Sequence, residues 1–176
     1  MNKFEESGKF NSAQLRQIQD GLKLGLDVSV YAKPEFDWGQ MIEIRYGLEQ
    51  GLDVSVFAKP EFDSAQMEQI SLGLSHGVDV SIYAKADFNS DQMEEIRDGL
   101  EKGLDVSSYA NPELSSYLME IIRIGLENGL NINVGMCEWK QISTARYKTS
   151  CGYRLEEYFD TNACYCKQCG KKIKII

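Results

Sequence analysis

Histidine is nearly absent from this chain: His76 is the single one among 176 residues. It sits in a Ser75-His76-Gly77 segment where sibling segments carry Gln50 and Lys102, so it reads as a surface variant and not as a catalytic base. Cysteine is missing from the first 136 residues, and no Walker A or dinucleotide fingerprint occurs. These absences leave no nucleophile–base pair and no phosphate cradle, so the expectation is a protein that is not an enzyme. No apolar run approaches the roughly 18 residues of a transmembrane helix. The opening MNKFEESGKF lacks the apolar core of a signal peptide. Both absences predict a cytosolic protein with no membrane segment. Positive charge is scarce over most of the length. Of 19 basic and 27 acidic residues, positions 137–176 hold eight and four, which leaves eleven against 23 for positions 1–136. A deficit of twelve argues against broad phosphate binding by that part and leaves the tail as the only basic segment.

What is present is repetition. The stretch FDWGQMIEIRYGLEQGLDVSVFAKPE, positions 36–61, recurs at a strict 26-residue step with leading residues Phe10, Phe36, Phe62, Phe88 and Leu114. Each copy keeps a first glycine (Gly21, Gly47, Gly73, Gly99, Gly125) and a second (Gly25, Gly51, Gly77, Gly103, Gly129). Constant spacing of this kind marks one supersecondary unit stacked on its own copies.

Each copy opens with a cap signal, Asn11, Asp37, Asp63, Asn89 or Ser115, and the first four place glutamine three residues later. That is the capping-box pattern. The fifth has Leu118 instead. Apolar residues follow at helical spacing, as in Met67, Ile70 and Leu74, with Glu94, Glu95 and Arg97 typical of the opposite face. The expectation is a helix of about three turns, ended by the second glycine in a left-handed cap. The first glycine costs a helix about 1 kcal/mol relative to alanine. Its presence in all five copies predicts that the backbone of the next element packs against it. The second half is ambiguous. Leu52, Val54 and Val56 alternate with Asp53 and Ser55 as in a strand, yet the segment also reads as an Asp-capped short helix stopped by Pro60. The helical version is preferred, because the asparagine ladder of leucine-rich repeats is missing.

The fold expected is therefore mainly α: a solenoid of five helix–turn–helix repeats over 10–136, a leader at 1–9 that covers the first repeat, and a small β-rich ribbon over 137–176. All five cysteines lie in that ribbon. Cys166-Lys-Gln-Cys169-Gly170 has the form of a metal knuckle, and Cys137 and Cys151 supply two further thiolates. Cys164 competes with Cys166 as a ligand. A four-sulfur set suits a structural zinc ion with no open coordination position. A segment of forty residues with so few core residues also needs such a staple. The stretch from Trp139 to Thr149 is a candidate hairpin, and the final KKIKII a closing strand.

The pattern CEW…TSCG…CKQCGKK resembles the small zinc ribbons of phage and mobile-element proteins of Firmicutes. There the closing pair often reads CPYCGK, whereas Lys167 and Gln168 stand here. The repeats, typified by FDSAQMEQI…GLDVSIYAK, are similar to tandem repeats in proteins of the same bacteria. Small acidic proteins of this kind resemble anti-CRISPR proteins, including zinc-containing ones directed at type II-A Cas9. The resemblance implies no catalytic residues. It implies a bacterial host cytosol and an inhibitor that binds Cas9 or the Cas9–guide RNA complex and interferes with DNA binding or cleavage. Trp38 and Tyr46, large aromatics where other copies carry Ser and Asp or Leu, are the candidate anchors. The alternatives are a nucleic-acid-binding adaptor acting through Lys148, Arg154, Lys167, Lys171, Lys172 and Lys174 of the ribbon, and a host scaffold protein.

Overall fold

The computed structural model describes Phe4, residues 7–129 and the backbone of 136–143, 146–149, 154–155 and 172–175. The chain divides into two compact units, Met1–Glu101 and Lys102–Ile176. The described part is mainly helical.

Among the described residues the first unit has the helices α1 (Ser12–Lys23), α2 (Trp38–Glu49), α3 (Ser64–His76) and α4 (Ser90–Glu101). They begin where the capping signals stand. Asn11 Oδ1 accepts from the Gln14 amide while Gln14 Oε1 accepts from the Asn11 amide. The same reciprocal pair recurs between Asp37 and Gln40, Asp63 and Gln66, and Asn89 and Gln92. Each helix ends at the second glycine, with φ of 72° at Gly25 and 73° at Gly77, where any side chain would be strained.

A turn of 3-10 helix follows each of the first three helices, at Val28–Val30, Val54–Val56 and Val80–Ile82. The strand alternative therefore fails there. The second half is helical as preferred, but only one turn long. Its start is set by Asp53, whose Oδ1 accepts from both the amide and the hydroxyl of Ser55. Pro60 stands in the tight turn that follows, closed by the Phe62 amide on the Lys59 carbonyl at 3.1 Å.

Consecutive helices pack on one another, α1 on α2, α2 on α3 and α3 on α4, and each of the first three also packs on its own 3-10 turn. The core repeats with the sequence: Ile18, Ile44, Ile70 and Ile96, then Met41, Met67 and Met93, are fully buried, as are Tyr31, Phe57 and Tyr83. The first glycine makes room for that aromatic. A Cβ on Gly21 would lie 1.9 Å from the Tyr31 hydroxyl oxygen, and one on Gly73 at 1.9 Å from that of Tyr83. On Gly47 it would meet the Phe57 ring at 2.7 Å and Val54 at 2.8 Å. The expected partner, backbone of the next element, is corrected: the close contact is a side chain ten residues on. Of the leader only Phe4 and residues 7–9 are described, and Phe4 sets its ring edge-on to Phe10 with centres 6.0 Å apart.

The second unit contains the 3-10 turn Val106–Ser108, helix α5 (Ser116–Glu127) and strands β1 (Met136–Ser143), β2 (Arg146–Thr149), β3 (Arg154–Leu155) and β4 (Lys172–Ile175). Ser115 caps α5 alone, since Leu118 cannot complete the box. Tyr109, Met119 and Ile122 are buried. The sheet order is β3-β2-β1-β4; β2 runs antiparallel to β1 and β3, and β4 parallel to β1.

Candidate functional site

Helix α2 departs from its siblings on its outward face. Residues four apart on a helix stack on one side. In α2 the positions 38, 42 and 46 are Trp, Ile and Tyr, whereas α1 carries Ser12, Arg16 and Asp20, α3 Ser64, Glu68 and Leu72, and α4 Ser90, Glu94 and Asp98. Its inward face still buries Met41 and Ile44. The helix is thus apolar on two sides, and only one of them has a partner within the fold.

Trp38 is 54% exposed and Tyr46 46%. Both anchors that the sequence singles out stand at the surface and not inside the stack. They line an open groove of about 610 Å³ between α1 and α2, with Ser12, Ala13, Arg16, Gln17, Asp20, Ile42 and Arg45. Ile42 belongs to this group and was missed by inspecting aromatics alone; its four-residue spacing from both neighbours is the signal that finds it.

The groove's polar groups are ordered. Buried Arg45 donates through Nε to Gln17 Oε1 of the preceding repeat at 3.3 Å and through Nη1 to Glu49. Its guanidinium carbon also lies 4.5 Å from the centre of the Tyr46 ring, a cation–π contact that holds the ring in place. On the opposite wall Arg16 is open to solvent, 3.9 Å from Asp20, and Asp20 takes its main contact from Lys23 at 2.8 Å. The Lys23 ammonium holds the Asp20 carboxyl below the usual range. Two half-exposed aromatic rings beside a groove with the exposed Arg16 guanidinium at its edge have the composition of an interaction surface. His76, the lone histidine, is exposed and contacts Glu101 Oε1 through Nδ1 at 2.8 Å. Lys102 makes the equivalent ion pair with Glu127 in the second unit.

No family model, curated protein or solved structure matches the chain. Of the expected zinc ligands, Cys137 lies in β1 with its backbone in register with Ile173 of β4. Cys151, Cys166 and Cys169, together with Cys164, lie outside the described residues. No described helix is long and apolar enough to cross a membrane.

Proposed function

We propose that the chain is a non-catalytic protein-binding module: a solenoid of five repeats closed by a zinc ribbon, with the groove beside Trp38, Ile42 and Tyr46 as its contact site. The observation that carries this reading is the apolar stripe of α2. An outward face that is polar in α1 and α4 becomes, in one copy, two half-exposed rings and an isoleucine over an open groove. Single exposed apolar residues need no explanation, but a contiguous patch rimmed by ordered polar groups has the composition of an interaction surface. Stacked repeats commonly present such surfaces to protein partners.

The specific target proposed is type II-A Cas9 or its guide RNA complex, on the strength of the sequence resemblance. The deficit of positive charge over residues 1–136 favours a basic partner surface, such as a nucleic-acid channel. A capture experiment with the Cas9–guide complex, paired with target cleavage at two salt concentrations, tests it. Binding with loss of cleavage, weakened by raised salt and by Trp38→Ala with Tyr46→Ala, is the expected result. Cleavage that proceeds unchanged at saturating protein rejects the target.

For the ribbon, zinc is supported by the spacing of Cys137, Cys151, Cys166 and Cys169. Strand pairing adds to it: Trp139 is in register with Thr149, and Cys137 and Cys151 stand two residues outside that pair. Zinc bound there would staple the ribbon. One zinc per chain by elemental analysis, lost in Cys169→Ser, is expected; a metal-free folded ribbon refutes it.

A further inference from the structure

We propose that the seam between the second and third repeats accepts an arginine side chain supplied by the protein partner; this rests on the protein-binding reading above. The first unit has three seams between consecutive helices, and two are closed in the same way. Arg45 reaches back 28 residues to Gln17 at 3.3 Å, and Arg97 reaches back 28 residues to Gln69 at 3.1 Å. Both guanidinium groups also hold a carboxylate four residues on, Glu49 and Glu101. The middle seam breaks the rule on both sides. Where the others have glutamine it has Glu43, and where they have arginine it has the buried Ser71.

Glu43 accordingly makes no hydrogen bond or ion pair among the described residues. Its carboxyl is pushed up first by burial and then by the nearby Glu68. The seam therefore holds an acceptor with no donor, a second carboxylate beside it, and a serine where its neighbours are filled by a guanidinium. Ile42 of the apolar stripe precedes Glu43 in the chain, and Trp38 and Tyr46 stand one helical turn either side of Ile42, all three lining the groove between α1 and α2.

A guanidinium matches each of these features. It is planar, forms paired hydrogen bonds with a carboxylate, and stacks on aromatic faces. The protein supplies that group itself in the first and third seams. In the second it is left to be brought from outside.

The probe is a labelled octa-arginine peptide, titrated onto the full chain at physiological salt by fluorescence anisotropy. Glu43→Gln is expected to weaken binding by about five-fold or more. Ser71→Arg fills the seam from within, so it should weaken binding similarly while raising the melting temperature; Glu43→Gln carries the test if that variant does not fold. Glu94→Gln, an exposed carboxylate on α4, should change affinity less than two-fold, and octa-lysine should bind more weakly than octa-arginine. Equal losses in Glu43→Gln and Glu94→Gln, or unchanged binding by folded Ser71→Arg, would overturn the proposal. With the Cas9–guide complex, loss of capture in Trp38→Ala but not in Glu43→Gln or Ser71→Arg would overturn the arginine seat and leave the protein-binding groove standing.

Discussion

Replacing Gly73 by alanine should destabilise the fold, although the same change at an ordinary helical site stabilises it. Two effects compete. Alanine gains about 1 kcal/mol over glycine in a helix interior. Against that, the new methyl would sit 1.9 Å from the Tyr83 hydroxyl oxygen, 2.9 Å from Val80 Cγ1 and 3.2 Å from the phenolic carbon. Tyr83 is fully buried, and its hydroxyl donates to the Gln69 carbonyl at 3.1 Å. The ring has to move, and overpacking of this kind costs about 1–3 kcal/mol. Breaking the hydroxyl's hydrogen bond adds about 1 kcal/mol. The net expectation is a loss of about 1–3 kcal/mol, read as a lower urea midpoint with an unchanged slope. Tyr83→Phe tests the cause. It removes the atom at 1.9 Å, so the double variant should recover part of the loss, with a coupling of about 1 kcal/mol. The second repeat already pairs glycine with Phe57 in this way. A stabilised Gly73→Ala, or a double variant that is merely additive, would refute the packing argument.

Gly77→Ala should cost about 1–2 kcal/mol for a different reason, because φ is 73° and nothing lies within 4 Å of the added carbon; no second-site change in packing should rescue it. Gln66→Ala should lose about 2–3 kcal/mol in urea melts, since it removes both the cap on Asp63 and the Nε2 donation to the Phe88 carbonyl of the next repeat. In acid, Asp27, Asp79 and Asp105 are each held below the ordinary carboxylate range, first by the hydroxyl and then by the amide of the serine two residues on. A lowered folded-state value means that their contribution is complete above an unfolded value of about 3.9 and is lost as pH falls through the folded one. The triple Asp→Asn variant keeps the acceptor oxygen and loses the titration. Its stability should therefore fall less steeply than that of the parent between about pH 5 and pH 3, measured by melting; an identical slope would refute the assignment.

The parts of this fold that were legible in sequence are those set by local chemistry. Asp37 with Gln40 specifies a helix start whatever surrounds it, and Gly51 specifies its end through φ alone. The Val54-Ser55-Val56 segment was ambiguous because alternation and a single helical turn both place Val54 inward. What separates them is a hydrogen bond from Ser55 to Asp53, which spans two residues and leaves no mark on apolar periodicity. The tertiary roles were hidden. Nothing local says that Gln40 also donates to the Phe62 carbonyl 22 residues on at 2.6 Å, or that Gly47 faces the ring of Phe57. The groove was half visible: two aromatics stood out by composition and Ile42 only by its four-residue spacing from them, while the missing partner of Glu43 in the next seam needed the registry between neighbouring helices.

That registry gives repetition a further use, since every departure from it can be weighed against siblings in the same chain. Gln14, Gln40 and Gln66 each reach the carbonyl of a leading phenylalanine 22 residues ahead. The residue 22 beyond Leu118 is Lys140, which opens no repeat. A glutamine at 118 would keep a buried amide group with no such carbonyl to receive it, and burying an unmet donor is costly. Leucine, 8% exposed, avoids that cost. The change at Leu118 thus has a structural reason, the end of the array. The changes at Trp38, Ile42, Tyr46 and Ser71 fall in its interior, where the repeat pattern continues on both sides and gives no such reason. That contrast separates a residue altered to finish the fold from the residues on which the proposed partner contact rests.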